Sequence, residues 1–372
     1  MADAKINNIK TFAPLRVSRK FAICGLPIRI DTYRTCSFKC EYCFANNRIV
    51  MAPSKDFQIA NINNVKTKLK KIFEKHAFNS ESFLDTLISK NYTWHCGGMS
   101  DPFQPCEKVY GITKQLIEVT KPYNISILFS TKTDDLYGSW DVIDPDLHTF
   151  QLSVTNVYNN KVEPNVADIS KRYDMYRRLK NMGFRVGIRI QPFIPNITTT
   201  EIIDMFSDAD HFTIEGIKMV NNNEENKKNI LNITKLERDD FVFLGMLNIK
   251  PQLRLEMYKP FIEKFESMNL SWSIADNDLH YLGNNFCCCG DRLINKGTIF
   301  NNTYLSHEYG KNYTKEQTDK SIKDVKDCVC KYWFYSREQE GLSTVQDFYD
   351  KKFDLKNSIF SPQFLYDYEK ES

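Results

Sequence analysis

The feature that most limits how this chain can fold is a regular alternation of short apolar runs with amphipathic runs of helical period. The apolar runs have the length of buried strands and are predicted at 26–33, 91–98, 125–133, 149–155, 184–195, 211–219 and 270–276. Helices are predicted between them at 65–77, 110–123 and 169–183. Strands that alternate with helices favour a parallel sheet covered by helices.

Six or seven such units predict an α/β fold of the partial (βα)6 TIM-barrel type. A doubly wound sheet is less consistent, because no G-x-G-x-x-G turn of a dinucleotide-binding fold follows the first strand. From about residue 280 the sequence becomes polar, aromatic and rich in cysteine. We therefore expect an N-terminal extension at 1–25, a barrel at 26–280, and a C-terminal extension at 281–372 with a candidate auxiliary metal site.

Composition excludes several classes of function. The net charge of +3 is too small to indicate a nucleic-acid, membrane or acidic partner on its own. No run approaches the roughly 18 apolar residues of a membrane span, and the N-terminus lacks the apolar core of a signal peptide. We therefore expect a cytoplasmic protein without membrane association. In a reducing compartment its 11 cysteines are not expected to form a disulfide framework.

Three of these cysteines, Cys36, Cys40 and Cys43, fall within eight positions directly after the first predicted strand. Barrel chemistry is found at the carboxyl ends of strands, so this loop is the first candidate site. A structural zinc site normally requires four protein ligands, and no fourth cysteine or histidine lies nearby. Three thiolates on a [4Fe–4S] cluster leave one iron open for another ligand. The spacing favours such a cluster, and zinc with a distant fourth ligand is the alternative.

The pattern C-x3-C-x-aromatic-C after a first strand resembles the radical S-adenosylmethionine (SAM) superfamily. The segments IDTYRTCSFKCEYCFA, GGMSDPFQPCE, STKTDDL and FRVGIRIQPFIP extend the similarity over about residues 25–200, to the spore photoproduct lyase-like or DNA-repair photolyase-like branch. The resemblance implies a lyase-like enzyme in which a [4Fe–4S] cluster reductively cleaves SAM to a 5′-deoxyadenosyl radical. It also implies a reductant of the flavodoxin or ferredoxin type.

The resemblance assigns roles to individual residues. Cys36, Cys40 and Cys43 match the cluster ligands. The positions that match SAM-binding residues of the family are Tyr42, Gly97, Gly98, Ser100, Asp101, Lys132, Ser153 and Gln191. Lys132 matches a lysine that pairs with the SAM carboxylate, and this role is physically reasonable because a buried carboxylate needs a compensating charge.

Two positions depart from the lyase pattern. Gly98 stands where the lyase has its hydrogen-donor cysteine, and Cys96 is a candidate substitute on the same strand. A buried strand thiol is an equally consistent interpretation of Cys96. Phe44 follows the cluster motif at a position where a hydrogen-relay tyrosine would carry a hydroxyl. The sequence therefore leaves two classes of substrate: a pyrimidine lesion in DNA, or a hypermodified base or nucleotide.

A second group of cysteines lies in the predicted C-terminal extension. Cys287, Cys288 and Cys289 are consecutive, and Cys328 and Cys330 follow. In a tight turn, two of the first three could join the later pair as four ligands of an auxiliary iron–sulfur cluster or a zinc ion. The alternative is a buried turn near the active site, in which one cysteine donates hydrogen.

Three functions are consistent with the sequence. The first is a radical SAM enzyme that acts on a nucleobase or DNA-type substrate, by lysis or by base modification. The second is radical modification of a peptide or protein, with the late cysteines on an auxiliary cluster. The third is a non-catalytic zinc or nucleic-acid-binding module, which would be colourless and would not consume SAM.

Overall fold

The computed structural model describes residues 9–18, 24–47, 57–158, 161–276, 278–279, 282–285, 287–300, 315–329 and 343–354. The strands in these ranges are β1 (Thr11–Phe12), β2 (Leu15–Val17), β3 (Ile28–Ile30), β4 (Ile59–Ala60), β5 (Trp94–Cys96), β6 (Ile127–Thr131), β7 (His148–Ser153), β8 (Val186–Phe193), β9 (His211–Gly216), β10 (Lys218–Met219), β11 (Phe241–Phe243), β12 (Leu247–Ile249) and β13 (Trp272–Ile274).

The α-helices in the same ranges are α1 (Phe44–Asn47), α2 (Ile62–Leu69), α3 (Phe83–Ser89), α4 (Glu107–Tyr110), α5 (Ile112–Thr120), α6 (Ile169–Asn181), α7 (Glu201–Met205), α8 (Glu224–Thr234), α9 (Pro251–Ser267), α10 (Lys315–Ile322) and α11 (Val345–Asp354). A π-helical turn, Lys70–Glu74, extends α2, and a 3-10 turn, Lys121–Tyr123, extends α5. None of the helices described is both long enough and apolar enough to cross a membrane.

The central feature is an eight-stranded sheet in the order β13-β9-β8-β7-β6-β5-β3-β2. Neighbours from β13 to β3 pair in parallel, and β2 pairs antiparallel with β3 at one edge. The predicted α/β fold with a largely parallel sheet is therefore confirmed. The edge strands β13 and β2 are not paired with each other in the described part of the chain, so these strands form an open sheet.

The strands separate an apolar face from a polar face, because successive side chains point to opposite sides. In β5, Trp94 and Cys96 are fully buried in the main hydrophobic cluster, which also contains helix residues such as Leu116 of α5. His95, between them, points to the other side and hydrogen-bonds Ser130 of β6. Helices therefore cover one face of the sheet, and polar side chains line the other, which we call the inner face.

The inner face is closed at the amino ends of its strands by residues 287–294, here called the floor segment. Its apolar side chains form one hydrophobic cluster with Leu26, which precedes β3, and Leu128 of β6. The segment also packs against Gly187 of β8 and His211 of β9, and a Cβ at Gly187 would lie 2.8 Å from a leucine methyl carbon of the segment. The segment folds into consecutive hydrogen-bonded turns. The strands β3 and β9 are five positions apart in the sheet. A segment this compact can contact both ends of that span because the sheet curves, so the inner face is concave.

All seven predicted strands are present, as β3, β5, β6, β7, β8, β9 and β13. The predicted helices correspond to α2 with its π-helical turn, α5 with its 3-10 turn, and α6. The strand β2 was not predicted, because three residues are too short to show a period. Through β2, the N-terminal extension contributes one edge of the sheet.

Candidate functional site

The three cysteines predicted to hold a cluster lie in one loop between β3 and α1, here called the cysteine loop (residues 35–43). Cys36, Cys40 and Cys43 are half-buried, and none of them forms a disulfide. Burial raises the pKa of the Cys36 and Cys40 thiols to about 12, and the nearby Cys43 contributes in the same direction. The three thiols therefore lie close enough to influence one another, in surroundings that disfavour bare thiolates.

Thiolates in such surroundings need a compensating cation, and the irons of a cluster supply one. In the described part of the chain, no three His, Cys, Asp or Glu side chains are arranged around a single metal ion. A cubane makes a different demand, because each of its thiolate ligands binds a separate iron. Three cysteines on one loop, none of them in a disulfide, fit that donor set.

A buried amide fixes the first half of the cysteine loop. Gln104, which is 1% exposed, accepts a hydrogen bond from the backbone N–H of Ser37 and donates one to the carbonyl of Thr35, both at 2.8 Å. These bonds hold the backbone on both sides of Cys36. Asn165 donates a further hydrogen bond from its side-chain amide to the Ser37 carbonyl at 3.0 Å. The position of Cys36 thus depends on two distant parts of the chain.

The second half of the loop rests on residues 161–163. The backbone N–H of Glu41 donates to a carbonyl of this segment at 3.0 Å. The Tyr42 hydroxyl donates to the Glu163 carboxylate and lies 3.2 Å from the Thr155 hydroxyl. Tyr42, predicted to belong to the SAM site, is 7% exposed and anchors the loop to the segment that follows β7.

Glu163 is the charged centre of this region. Its carboxylate lies 2.8 Å from the Lys132 ammonium and 3.7 Å from the Arg172 guanidinium. Burial opposes the charge of this carboxylate, but the two cations outweigh burial and lower the pKa of Glu163 to about 2. Lys132, predicted to bind the SAM carboxylate, therefore faces a carboxylate of the chain itself. Its ammonium also lies 5.7 Å from the centre of the Tyr42 ring.

Ser100 and Asp101 follow β5 and tie its end to neighbouring elements. The Asp101 carboxylate accepts hydrogen bonds from the backbone N–H of Lys132 at 2.6 Å and from the Thr131 hydroxyl at 2.7 Å. Burial nevertheless raises the pKa of Asp101 to about 6. The Ser100 hydroxyl donates to the carbonyl of Tyr33. Both side chains thus fix the turn that follows β5.

The two glycines of this turn have different surroundings. Gly97 has a φ of +99°, and a Cβ there would lie 2.2 Å from the carbonyl oxygen of Ser130, so the position favours glycine. Gly98 is exposed, and among the described residues beyond its chain neighbours a Cβ there would meet only Nη1 of Arg29, at 4.0 Å. The backbone of the turn therefore borders open space, as the close approach of a ligand requires.

Ser153 and Gln191 meet near the carboxyl ends of β7 and β8. The Ser153 hydroxyl donates to the Gln191 carbonyl at 2.8 Å, and the Lys132 ammonium approaches the same carbonyl at 3.5 Å. The Gln191 side chain accepts a hydrogen bond from Arg189, which pairs with Glu215 at 3.0 Å. The residues predicted to bind SAM therefore lie in one region, at the carboxyl ends of adjacent strands and beside the cysteine loop.

No protein-family model matches the chain. The curated radical SAM Nalpha-GlyT isomerase of Pseudomonas phage M6 is 27% identical over 126 residues, which cover 32% of this chain and 26% of that protein. A variant of spore photoproduct lyase aligns with a TM-score of 0.54 and 13% identity, over 72% of this chain and 80% of the lyase. The lyase complexed with dinucleoside spore photoproduct aligns with a TM-score of 0.50 and 15% identity, over 67% of this chain and 76% of the lyase.

The chain resembles radical SAM enzymes. The resemblance predicted from the cysteine motif is confirmed in sequence by the phage isomerase and in fold by the lyase. The matched segment spans about a quarter of the phage protein, and the likeness to the lyase concerns the fold alone. That fold is consistent with a radical SAM partial barrel, open between its edge strands.

Cys96 is poorly placed to act as a hydrogen donor in a radical SAM site. It is 0% exposed and belongs to the hydrophobic cluster on the helix-covered face, opposite His95. Strict alternation of side chains would place Cys96 on the same face as Gly98, but the positive φ of Gly97 interrupts that alternation. The structure therefore supports the buried-thiol interpretation.

The described cysteines do not assemble the predicted auxiliary metal site. Cys287, Cys288 and Cys289 lie in the turns of the floor segment. Cys328 packs instead in the main hydrophobic cluster, where its thiol lies 3.4 Å from a threonine hydroxyl of α3. Cys330 lies outside the described residues. Because Cys328 faces α3, the described cysteines do not support the four-ligand arrangement.

Sequence reasoning missed several residues of this region. Gln104 and Glu163 carry no local signal, because their partners lie 67 and 121 positions away in the sequence. Three other residues did carry a signal in the sequence, because each is a single charged residue inside an apolar strand: Arg29, Arg189 and Glu215. Such isolated charges indicate that a strand face is polar, and they could have located the inner face.

Proposed function

We propose that this chain is a radical SAM enzyme that acts on a nucleobase or DNA-type substrate, by lysis or by base modification. One observation carries the proposal. The cysteine loop, with its three cysteines outside any disulfide, stands at the carboxyl ends of a parallel sheet, where barrel chemistry is found. Beside it, the turn at Gly98 borders open space.

In this proposal Cys36, Cys40 and Cys43 hold a [4Fe–4S] cluster. The residues that surround SAM are Tyr42, Gly97, Gly98, Ser100, Asp101, Lys132, Ser153 and Gln191. When bound, the cluster would supply the electron that cleaves SAM to methionine and a 5′-deoxyadenosyl radical. A flavodoxin or ferredoxin type of protein is the proposed reductant.

The residues of the chain orient the site and restrict water. Gln104 fixes the backbone on both sides of Cys36, and Asp101 fixes the turn that presents the backbone of Gly98. Lys132 keeps a cation beside the cysteine loop, held there by Glu163. The floor segment closes the amino ends of the strands, which limits water on the inner face.

The substrate class rests on analogy. The lyase that shares this fold is complexed with a dinucleoside, so this architecture accommodates a nucleobase substrate in that protein. The phage relative is named an isomerase, which is a different outcome from lysis. The proposal therefore commits to a nucleobase and leaves lysis and base modification as the two reaction types.

The enzyme proposal is tested by anaerobic reconstitution with iron, sulfide, dithionite and SAM, followed by measurement of 5′-deoxyadenosine. We expect about four irons per chain. Cys40→Ala should lose both iron and product. Cys106→Ala is the matched control, because Cys106 is also half-buried and free but lies outside the loop. An iron-loaded chain that forms no 5′-deoxyadenosine would refute the proposal.

The substrate class is tested in the same assay by adding duplex DNA, deoxynucleosides or a peptide mixture. We expect DNA or deoxynucleosides to change the rate of 5′-deoxyadenosine formation, because a bound substrate displaces water and consumes the radical. Stimulation by peptides alone would favour the peptide-modifying function and count against a nucleobase substrate.

A further inference from the structure

Cations around the inner face are paired with carboxylates, with one exception. Three such pairs are present: Lys132 with Glu163, Arg189 with Glu215, and Lys218 with Glu215. This pairing is expected, because an uncompensated charge held away from water is costly. Arg29 of β3 is the exception, since no carboxylate among the described residues forms an ion pair with it.

Sulfur atoms surround Arg29 on the side of the floor segment. One guanidinium nitrogen donates to the Cys24 sulfur at 3.1 Å. Burial opposes the charge of Arg29, but Cys24, Cys289 and Cys288 attract it, and the net effect raises its pKa. Arg29 therefore stays a cation. Sulfur is a weak hydrogen-bond acceptor, and it does not offer the paired oxygens that a guanidinium fork binds best.

The other side of Arg29 faces the mouth of the inner face. Its Nη1 lies 4.0 Å from the Cβ position of Gly98, and apart from the chain neighbours of Gly98 no other described atom lies within 4 Å of that point. Gly98 itself is exposed. A guanidinium nitrogen thus borders open space next to the turn proposed to bind SAM.

A second polar group beside Arg29 has one ring nitrogen without a hydrogen-bond partner among the described residues. His95 is 5% exposed and stands next to Arg29 on the adjacent strand, in register and on the same face. Its Nε2 lies 2.7 Å from the Ser130 hydroxyl, but its Nδ1 has no hydrogen-bond partner among the described residues. A buried polar atom without a partner is uncommon, because it loses its hydrogen bonds to water without replacement.

We propose that Arg29, with His95 beside it, binds an anionic group of the substrate, either a carboxylate or a phosphate, on the inner face next to Gly98. The inference rests on the proposed function, and it narrows the substrate to nucleosides or nucleotides that carry a negative charge into this space. The guanidinium offers paired N–H groups to two oxygens, and His95 offers a further ring nitrogen.

The test is calorimetric titration of the full chain with four probes. Thymidine is the neutral probe, 5-carboxymethyl-2′-deoxyuridine carries a carboxylate on the base, and thymidine 5′-monophosphate carries a phosphate. SAM is the fourth, because its own carboxylate is a competing source of the anion. The variants are Arg29→Gln, Arg29→Lys, and Arg177→Gln as a matched control, since Arg177 is an exposed arginine paired with Asp208. Urea unfolding checks that each variant is folded.

We expect at least one anionic nucleoside to bind more tightly than thymidine. Arg29→Gln should weaken that probe by about 10- to 100-fold, as the loss of a charge-assisted hydrogen-bonded pair implies, and leave thymidine unchanged. Arg29→Lys should keep part of the affinity, and Arg177→Gln all of it. The anionic nucleoside that responds identifies the source as carboxylate or phosphate.

Four results would overturn the inference. If Arg29→Gln weakens SAM and not the nucleosides, Arg29 serves the cofactor. If it changes no affinity, Arg29 is satisfied by the thiols of the floor. If thymidine binds as tightly as its anionic forms, the anion inference fails while the nucleobase proposal stands, whereas failure of all nucleosides to bind removes both.

Discussion

Replacing Gly97 by alanine tests whether the turn after β5 is built as described. Gly97 has a φ of +99°, and a Cβ there would lie 2.2 Å from the carbonyl oxygen of Ser130 and 3.0 Å from the ring of Pro102. The first contact is with the backbone of β6, which is held by its pairing with both β5 and β7. Since that carbonyl has little freedom to move, we expect Gly97→Ala to displace the turn and destabilise the fold.

Two contributions set the size of the effect. An alanine in the left-handed region costs about 1–2 kcal/mol, and forcing a methyl group against packed atoms adds about 1–3 kcal/mol. Gly138 provides a matched control, because it has a φ of +90° but nothing within 4 Å of its Cβ position. We therefore expect Gly138→Ala to lose about 1–2 kcal/mol and Gly97→Ala about 2–5 kcal/mol of unfolding free energy.

Urea unfolding followed by tryptophan fluorescence measures both losses, and calorimetric titration with SAM measures the consequence for the site. If the turn borders the cofactor, Gly97→Ala should weaken SAM binding and Gly138→Ala should not. Equal loss of stability in the two variants would mean that the approach to β6 contributes nothing. That result would refute the described geometry of the turn.

Three further predictions concern charge, the loop and pH. Glu163→Gln should lower the unfolding free energy by about 3 kcal/mol, because the fall in the pKa of Glu163 from 4.5 to about 2 corresponds to that much stabilisation of the folded state. Urea unfolding at neutral pH measures the loss. Gln104→Leu should lower it by about 1–3 kcal/mol and reduce the iron bound on reconstitution, because two backbone groups beside Cys36 lose their partner. Stability should also fall as the pH drops from 6.5 towards 4, because burial lowers the pKa of His148 to about 4 and of His211 to about 3. Between these pH values both histidines are protonated in the unfolded chain and neutral in the folded chain. The unfolding free energy should therefore fall by about 2.7 kcal/mol for each pH unit, and His148→Gln should halve this contribution to the slope.

Each of these predictions has a result that would contradict it. Unchanged stability of the Glu163 variant would mean that Lys132 is not held by this carboxylate. For the cysteine loop, Gln115→Leu is the control, because the Gln115 side chain makes one hydrogen bond, a long one of 3.3 Å to a backbone carbonyl outside the loop. Equal loss of iron from the Gln104 and Gln115 variants would show that Gln104 has no special role in holding the loop. A slope unaffected by the His148 variant would show that this histidine is not buried in its neutral form.

The order of strands and helices could be predicted because each element carries its own period. The strand at 125–133 is a continuous apolar run, as a parallel strand covered on both faces should be, and it folds as β6. The helix at 169–183 places its apolar residues on one face and folds as α6. Curvature had no such local signal. It follows from residues 287–294, which touch strands far apart in both sequence and sheet order.

The candidate site divides in the same way. The thiols of Cys36, Cys40 and Cys43 could be predicted as a group because they are neighbours in the sequence. The supports of their loop could not, because the contacts of Gln104 with Ser37 and of Glu163 with Tyr42 join residues 67 and 121 positions apart. Short motifs therefore identify the chemistry of such a site, while its rigidity depends on residues that only the fold brings together.

The floor segment bears on how hydrogen is supplied in the proposed reaction. Cys287 and Cys289 keep their thiol hydrogens, because burial and their neighbours raise the pKa of both, yet each is only 1% exposed within a hydrophobic cluster. Cys288 is more exposed, but hydrogen bonds from its two neighbours hold its pKa well below the usual range. With Cys96 facing the helices and Cys287 and Cys289 buried in a hydrophobic cluster, these three thiols are poorly placed to give a hydrogen atom to a substrate on the inner face, and Cys288 is the most exposed thiol of the floor segment.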